Sequence, residues 1–181
     1  MWSTTHYVYG VGFYSLVATS DGGYAIAGTC GDSLLVKIDA LGTVEWNRTY
    51  RWDTANEARS LIVTSDGGYA FAGFFGSQYY NDYHGAFLIK TDAFGNMEWN
   101  QTYGEIYFNC AYSLVETSDG GYALAGTLRY FHVLRSNEGG FVVKTDEYGV
   151  APEAAWVVLP FLLAGTLAVF ISKKKLFPKR S

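Results

Sequence analysis

Asp21, Asp66 and Asp119 stand in one setting, Thr-Ser-Asp-Gly-Gly-Tyr-Ala. Lys37, Lys90 and Lys144 each lie two residues before a second aspartate, Asp39, Asp92 or Asp146. Carboxylates and amines that recur together could serve general acid–base chemistry, but their surroundings point to structure. Gly-Gly follows each of the first three aspartates, and Asp-Gly-Gly is a hairpin signal because these residues adopt positive φ at little cost. The second three each lead to a glycine three residues on, a setting in which aspartate bonds its own following backbone. The lysines read as solvated or interstrand positions. His6, His84 and His132 share no repeat position and no ligand spacing, and no hydrolase, zinc-protease or phosphate-loop motif occurs. The only cysteines, Cys30 and Cys110, form no CxxC pair; a disulfide between them and two separate thiols both stay open. The chain is read as a non-enzyme with no catalytic residue, no metal site and no cofactor.

The segment Thr-Ser-Asp-Gly-Gly-Tyr-Ala-x-Ala-Gly occurs at 19–28, 64–73 and 117–126, so its serines are 45 and 53 residues apart. That is near the ~40–50 residues of a β-propeller blade. Each copy predicts four strands. The first is Tyr14 to Thr19, Arg59 to Thr64 and Tyr112 to Thr117. The second begins at Tyr24 and its equivalents, where a large residue alternates with alanine, giving one bulky and one thin face suited to close stacking. The third is Leu34 to Asp39, Phe87 to Asp92 and Phe141 to Asp146, and the fourth is Val44 to Tyr50 and Met97 to Tyr103. Trp46 and Trp99 stand four residues after Gly42 and Gly95, as packing anchors between neighbouring blades. The third copy lacks a fourth strand, and Trp2-Ser3-Thr4-Thr5 parallels one at the other end. This orphan either completes the last blade or belongs to a longer chain of which this is the C-terminal part. The second is favoured, because three blades fall below the four to eight of closed propellers.

The repeat, with Lys-x-Asp-x-x-Gly-x-x-x-Trp-Asn-x-Thr-Tyr after it, resembles repeats of archaeal and bacterial secreted proteins predicted to form β-propellers. The resemblance covers residues 2–149. It implies an all-β fold of blade-like four-stranded antiparallel sheets over 1–149, in copies at about 13–50, 58–103 and 111–148. The Asp-x-x-Gly-x-x-x-Trp part also resembles the tryptophan-docking turn of quinoprotein propellers, a likeness of packing that carries no quinone or calcium site. Two such chains sharing one six-bladed ring is one way to close it.

Hydrophobic residues make up 49% of the chain and charged residues 17%, which excludes a disordered polymer. Residues 1–152 have a net charge of −8 and residues 153–181 of +4. The acidic body argues against nucleic acid as a partner. After a linker at 150–153, residues 154–172 predict one transmembrane helix: 154–171 carry no charge, and 18 residues span about 27 Å as a helix. Trp156 stands at its start as an interfacial aromatic. Lys173, Lys174, Lys175, Lys179 and Arg180 make a basic tail that the positive-inside rule places in the cytoplasm, with the repeats outside the cell membrane. Pro152-Glu153, the apolar stretch and the lysines are together similar to C-terminal sorting signals. No basic start with an apolar run opens the chain, so export predicts a further segment upstream.

The turns within each copy are tight, and the remaining loops are long and differ between copies. Loops on a rigid scaffold carry binding, so Trp52, Tyr79, Tyr80, Tyr83, Tyr107, Phe108, Arg129, Tyr130 and Phe131 are the expected ligand-binding face, for a protein or glycan partner. Asn47-Arg48-Thr49 and Asn100-Gln101-Thr102 are N-glycosylation sequons at equivalent positions. The expected function is a surface-anchored binding or structural module. Two readings compete with it: the end of a larger propeller enzyme of glycosidase or quinoprotein type, and a tail-anchored scaffold facing the cytosol.

Overall fold

The computed structural model describes residues 10–52, 54–76, 85–104, 108–132, 135–152 and 156–160. All regular elements among them are strands. The first sheet contains β1 (Gly12–Ala18), β2 (Tyr24–Thr29), β3 (Ser33–Ile38) and β4 (Val44–Tyr50). The second contains β5 (Asn56–Val63), β6 (Tyr69–Phe75), β7 (Gly85–Thr91) and β8 (Met97–Tyr103). The third contains β9 (Phe108–Glu116), β10 (Tyr122–His132), β11 (Arg135–Lys144) and β12 (Trp156–Pro160). In each, the strands pair antiparallel with their chain neighbours.

The recurring Asp-Gly-Gly closes the first hairpin of every sheet, and its two glycines have different reasons. Gly22 sits at φ 84°, left-handed backbone that glycine adopts without penalty. Gly23 leaves room for a close approach, since a Cβ there would lie 2.2 Å from the Ile38 carbonyl oxygen. Asp21 holds the turn by accepting the Gly23 N–H at 2.9 Å and the Thr19 hydroxyl at 2.5 Å.

Alternation along the second strands sets how the sheets stack. Ala25 and Ala27 of the first sheet pack against Leu61, Tyr69, Phe71, Phe87 and Ile89 of the second. Ala70, Ala72, Ala86 and Leu88 then pack against Leu114, Tyr122, Leu124, Phe141 and Val143 of the third. A thin face meets a bulky face twice, in the same sense. The first strands of neighbouring sheets lie against one another, β1 on β5 and β5 on β9. Towards the fourth strands the sheets part, leaving a crevice of about 610 Å³ lined by Arg48 to Trp52 on one side and Gly95, Asn96, Met97 and Asn100 on the other. The stack is therefore a fan, closed at its first strands.

Three expectations need correction. First strands begin earlier than the pattern indicates, at Gly12, Asn56 and Phe108. Each carries one extra residue, Tyr14, Arg59 or Tyr112, at a register shift, and that bulge breaks the alternation from which their limits are read. The stretch Thr127 to Gly140, expected as a loop, extends β10 and β11 as a ribbon paired from Thr127 with Gly140 through to His132 with Arg135, its base flanked by β9 and β12. The third sheet does have a fourth strand: β12 pairs with β11 from Val143–Trp156 to Gly139–Pro160. The start of the expected helix at 154–172 is thus strand, in the place for which residues 2–5 were a candidate. Residues 2–5 and 161–172 lie outside the described residues. No helix among the described residues is long and apolar enough to cross a membrane.

Phe71 is fully buried at the first junction of the stack. Phe71→Ala is expected to cost about 3–5 kcal/mol, from lost transfer energy plus the cavity left behind. Ala72→Leu, which thickens a thin face, is expected to cost about 1–3 kcal/mol. Urea denaturation of each variant measures both.

Candidate functional site

The repeated ionisable residues meet at the turn end of the first two sheets, around a buried ammonium. Lys37 Nζ lies 2.8 Å from Asp21 and 2.7 Å from Glu45, and donates to the Ile38 carbonyl at 3.1 Å. Lys90 repeats this with Asp66 at 2.7 Å, Glu98 at 2.8 Å and the Thr91 carbonyl at 3.0 Å. Three acceptors satisfy the three N–H groups of an ammonium. Of the two readings, solvated or interstrand, these buried lysines take the second, while Lys144 pairs with Asp119 at 2.6 Å from an exposed position. Burial works against the charge on Lys37 and Lys90, but their carboxylate partners outweigh it and raise both above the usual lysine value. Burial likewise opposes the charge on Asp66, yet bonds from Lys90, Thr64 and the Gly68 N–H hold its carboxyl at about 2. The Lys37 bond holds Asp21, and the Lys144 bond Asp119, well below the carboxylate range. A saturated lysine and ionised aspartates have no proton to exchange near neutrality, so these clusters lock turns.

Trp46 reaches from the first sheet to the second. A Cβ on Gly95 would lie 2.8 Å from its ring, which also meets Tyr69 edge-on at 5.9 Å. Trp99 makes the same contacts with Gly149 and with Tyr122, at 5.6 Å. The Tyr50 hydroxyl donates to the Gly95 carbonyl at 2.7 Å, and Tyr103 to Gly149 at 2.6 Å. The tryptophans anchor neighbouring sheets as the spacing suggests. The tyrosine bonds are missed by pattern reading, although Tyr50 and Tyr103 recur four residues after each Trp.

At the opposite end, Trp52 is half-buried and stacks on Phe75 at 5.1 Å, capping the junction between the first two sheets. Tyr79, Tyr80, Tyr83 and Tyr107 lie outside the described residues. Phe108 falls in β9, and Arg129, Tyr130 and Phe131 fall in β10, the last three within the ribbon. Asn47 and Asn100 are exposed on β4 and β8, with Asn100 at the lip of the crevice. Cys30 is exposed and Cys110 buried, and both are free thiols. Burial pushes the Cys110 thiol up to about 11, so it stays protonated at neutral pH.

The bulges on the first strands gather a further set of side chains at the closed edge of the fan. Tyr14, Arg59 and Tyr112 are the extra residues of three adjacent strands. The Arg59 guanidinium lies 3.9 Å from the centre of the Tyr14 ring and 5.6 Å from that of Phe74, and pairs with Glu57. Its Nε is buried without a hydrogen-bond partner. The Tyr14 and Tyr112 rings are exposed on either side. Sequence reading places all three in the first strands without singling them out. The available signal was that this position changes from Tyr to Arg to Tyr while its neighbours repeat. Two exposed rings flanking a guanidinium suit a flat polar ligand, which stacks on the rings and bonds to the cation. No family model matches the chain, and no curated protein matches it.

Lys90→Met is expected to destabilise by about 1–2 kcal/mol, a charged hydrogen-bond cost reduced because its carboxylates are partly hydrated. Lys144→Met is expected to cost less, and equal midpoints on denaturation would contradict the burial difference. The folded values of the three turn aspartates lie below the unfolded value near 3.8. Their stabilisation is therefore complete above about pH 5 and is lost progressively as pH falls towards about 2. Thermal midpoints should hold from pH 6 to 5 and fall below it, less steeply in Lys90→Met.

Proposed function

We propose that this chain is a β-propeller-type binding module displayed at a cell surface, with its acidic repeats outside the cell membrane and its basic tail in the cytoplasm. The observation that carries the binding role is the cluster of Tyr14, Arg59 and Tyr112 at the closed edge, where structural residues repeat and these do not. The fan of four-stranded sheets supports the propeller reading, because radial blades converge at their first strands. The uncharged stretch from 154 to 171 and the basic residues after it support the anchor, a span that uses residues 156–160 in place of their pairing as β12. The exposed sequon residues Asn47 and Asn100 fit an outside location. The ligand is a glycan: Arg59, whose charge Glu57 already meets, supplies hydrogen-bond donors and the tyrosines the stacking faces.

The purified chain on an array of neutral and uronic-acid oligosaccharides should retain neutral members, and Arg59→Ala and Tyr112→Ala should each lower retention at least tenfold. Retention that is absent, or unchanged in both variants, removes the binding role. Deleting 161–181 should shift the protein from the alkali-resistant membrane fraction to the soluble one, and continued membrane retention removes the anchor.

A further inference from the structure

The turn after the third strand carries a large apolar residue in every copy, Leu41, Phe94 and Tyr148. The turn itself does not need it. Asp39, Asp92 and Asp146 each accept that residue's N–H, at 2.9, 2.8 and 3.0 Å, and the next residue is a glycine at φ 84°, 75° and 74°. A polar residue between them would make the same turn. Leu41 is nevertheless 78%, Phe94 67% and Tyr148 63% exposed. The second sheet has a neighbour on each face, so the exposure of Phe94 is not an effect of the ends of the stack. Val44, Met97 and Val150, two or three residues further on, are exposed as well. Each sheet thus shows an apolar pair at its turn end.

We propose that this row of turn tips docks on a lipid surface, the headgroup layer of the membrane that anchors the chain. The docking rests on the anchor reading, in which the span begins at 154. Val150 closes the last of the three turns, and the four residues 150–153 reach at most about 14 Å. That short tether holds the turn end at the membrane and turns the end with Trp52 and Cys30 away from it. Leucine and phenylalanine suit the boundary between headgroups and acyl chains, and tyrosine sits at headgroup level. One tip per sheet gives shallow contact at several points rather than a second span. Glu45 and Glu98 keep their carboxylates about half-exposed at the same end, so the fitting surface has neutral rather than anionic headgroups.

The full chain in phosphatidylcholine vesicles tests this. Leu41→Cys, Phe94→Cys and Tyr148→Cys, each combined with Cys30→Ser, carry one accessible thiol for a fluorescent label, because Cys110 is buried. Wild-type Cys30, exposed at the opposite end, is the control. Lipid bearing a nitroxide should quench the label at least twofold at all three turn positions and leave it unchanged at Cys30. Adding Phe94→Ser and Tyr148→Ser to the Leu41→Cys variant should abolish its quenching, which separates docking by the row from attraction of the dye to lipid. These positions are exposed, so the thermal midpoint should stay at the wild-type value. A chain that does not float with the vesicles removes the anchor and the docking together. A chain that floats without quenching at the turn positions, with equal quenching at Cys30, or with quenching that survives the serine substitutions keeps the anchor and overturns the docking. Protection of the Phe94→Cys thiol from water-soluble reagents in native membranes but not in the vesicles would give the face to a protein partner and overturn it too.

Discussion

Everything in this structure depends on how closely two sheets approach. Sheets pack about 10 Å apart when both faces are of ordinary bulk. Here the alternation of alanine with large residues gives each sheet one shallow and one deep face, and the shallow face of one receives the deep face of the next. Neither face serves alone, because a shallow face buries little apolar area and a deep one would leave rings in water. The unit therefore cannot complete its core by itself, the usual condition of a repeat protein, whose stability lies in intrinsic and nearest-neighbour terms.

Polar contacts then set the register of the stack. The tryptophan of one sheet covers a glycine in the turn of the next, and a tyrosine on the same strand bonds that glycine's carbonyl. A slip of one residue would turn Trp46 from the Lys37 face, which it shares across the strand pair, to the opposite one. The buried lysines act within a sheet, tying the first turn to the third and fourth strands. Charge is tolerated there because every N–H of the ammonium has an oxygen.

Most of the fold was legible because it is written three times. The turns, the alternation and the anchoring tryptophans all appear at fixed spacing, and the sheets follow from them. Illegible features were those that break the period. The bulges displace the first strands by one residue, so their limits and the presentation of Tyr14, Arg59 and Tyr112 could not be read from alternation. The ribbon from Thr127 to Gly140 carries polar residues and glycines that look like loop. Strand β12 was hidden because Trp156-Val-Val-Leu-Pro160 is as apolar as a membrane span, and a short apolar run does not distinguish strand from helix. The lysines stayed open between a solvated and an interstrand reading for another reason: their burial depends on a neighbouring sheet and a glutamate eight residues away, which no local pattern contains.

The contact between Trp46 and Gly95 has a direction. Each unit presents a plug to the one after it and a socket to the one before, and both are encoded within a single copy of the repeat. Splicing in a whole unit between two others would require no new complementary surface, because the newcomer brings both halves of the joint. Removing one would heal in the same way. Length in such a chain is a variable separate from sequence, and the number of units can change without any single unit having to be redesigned.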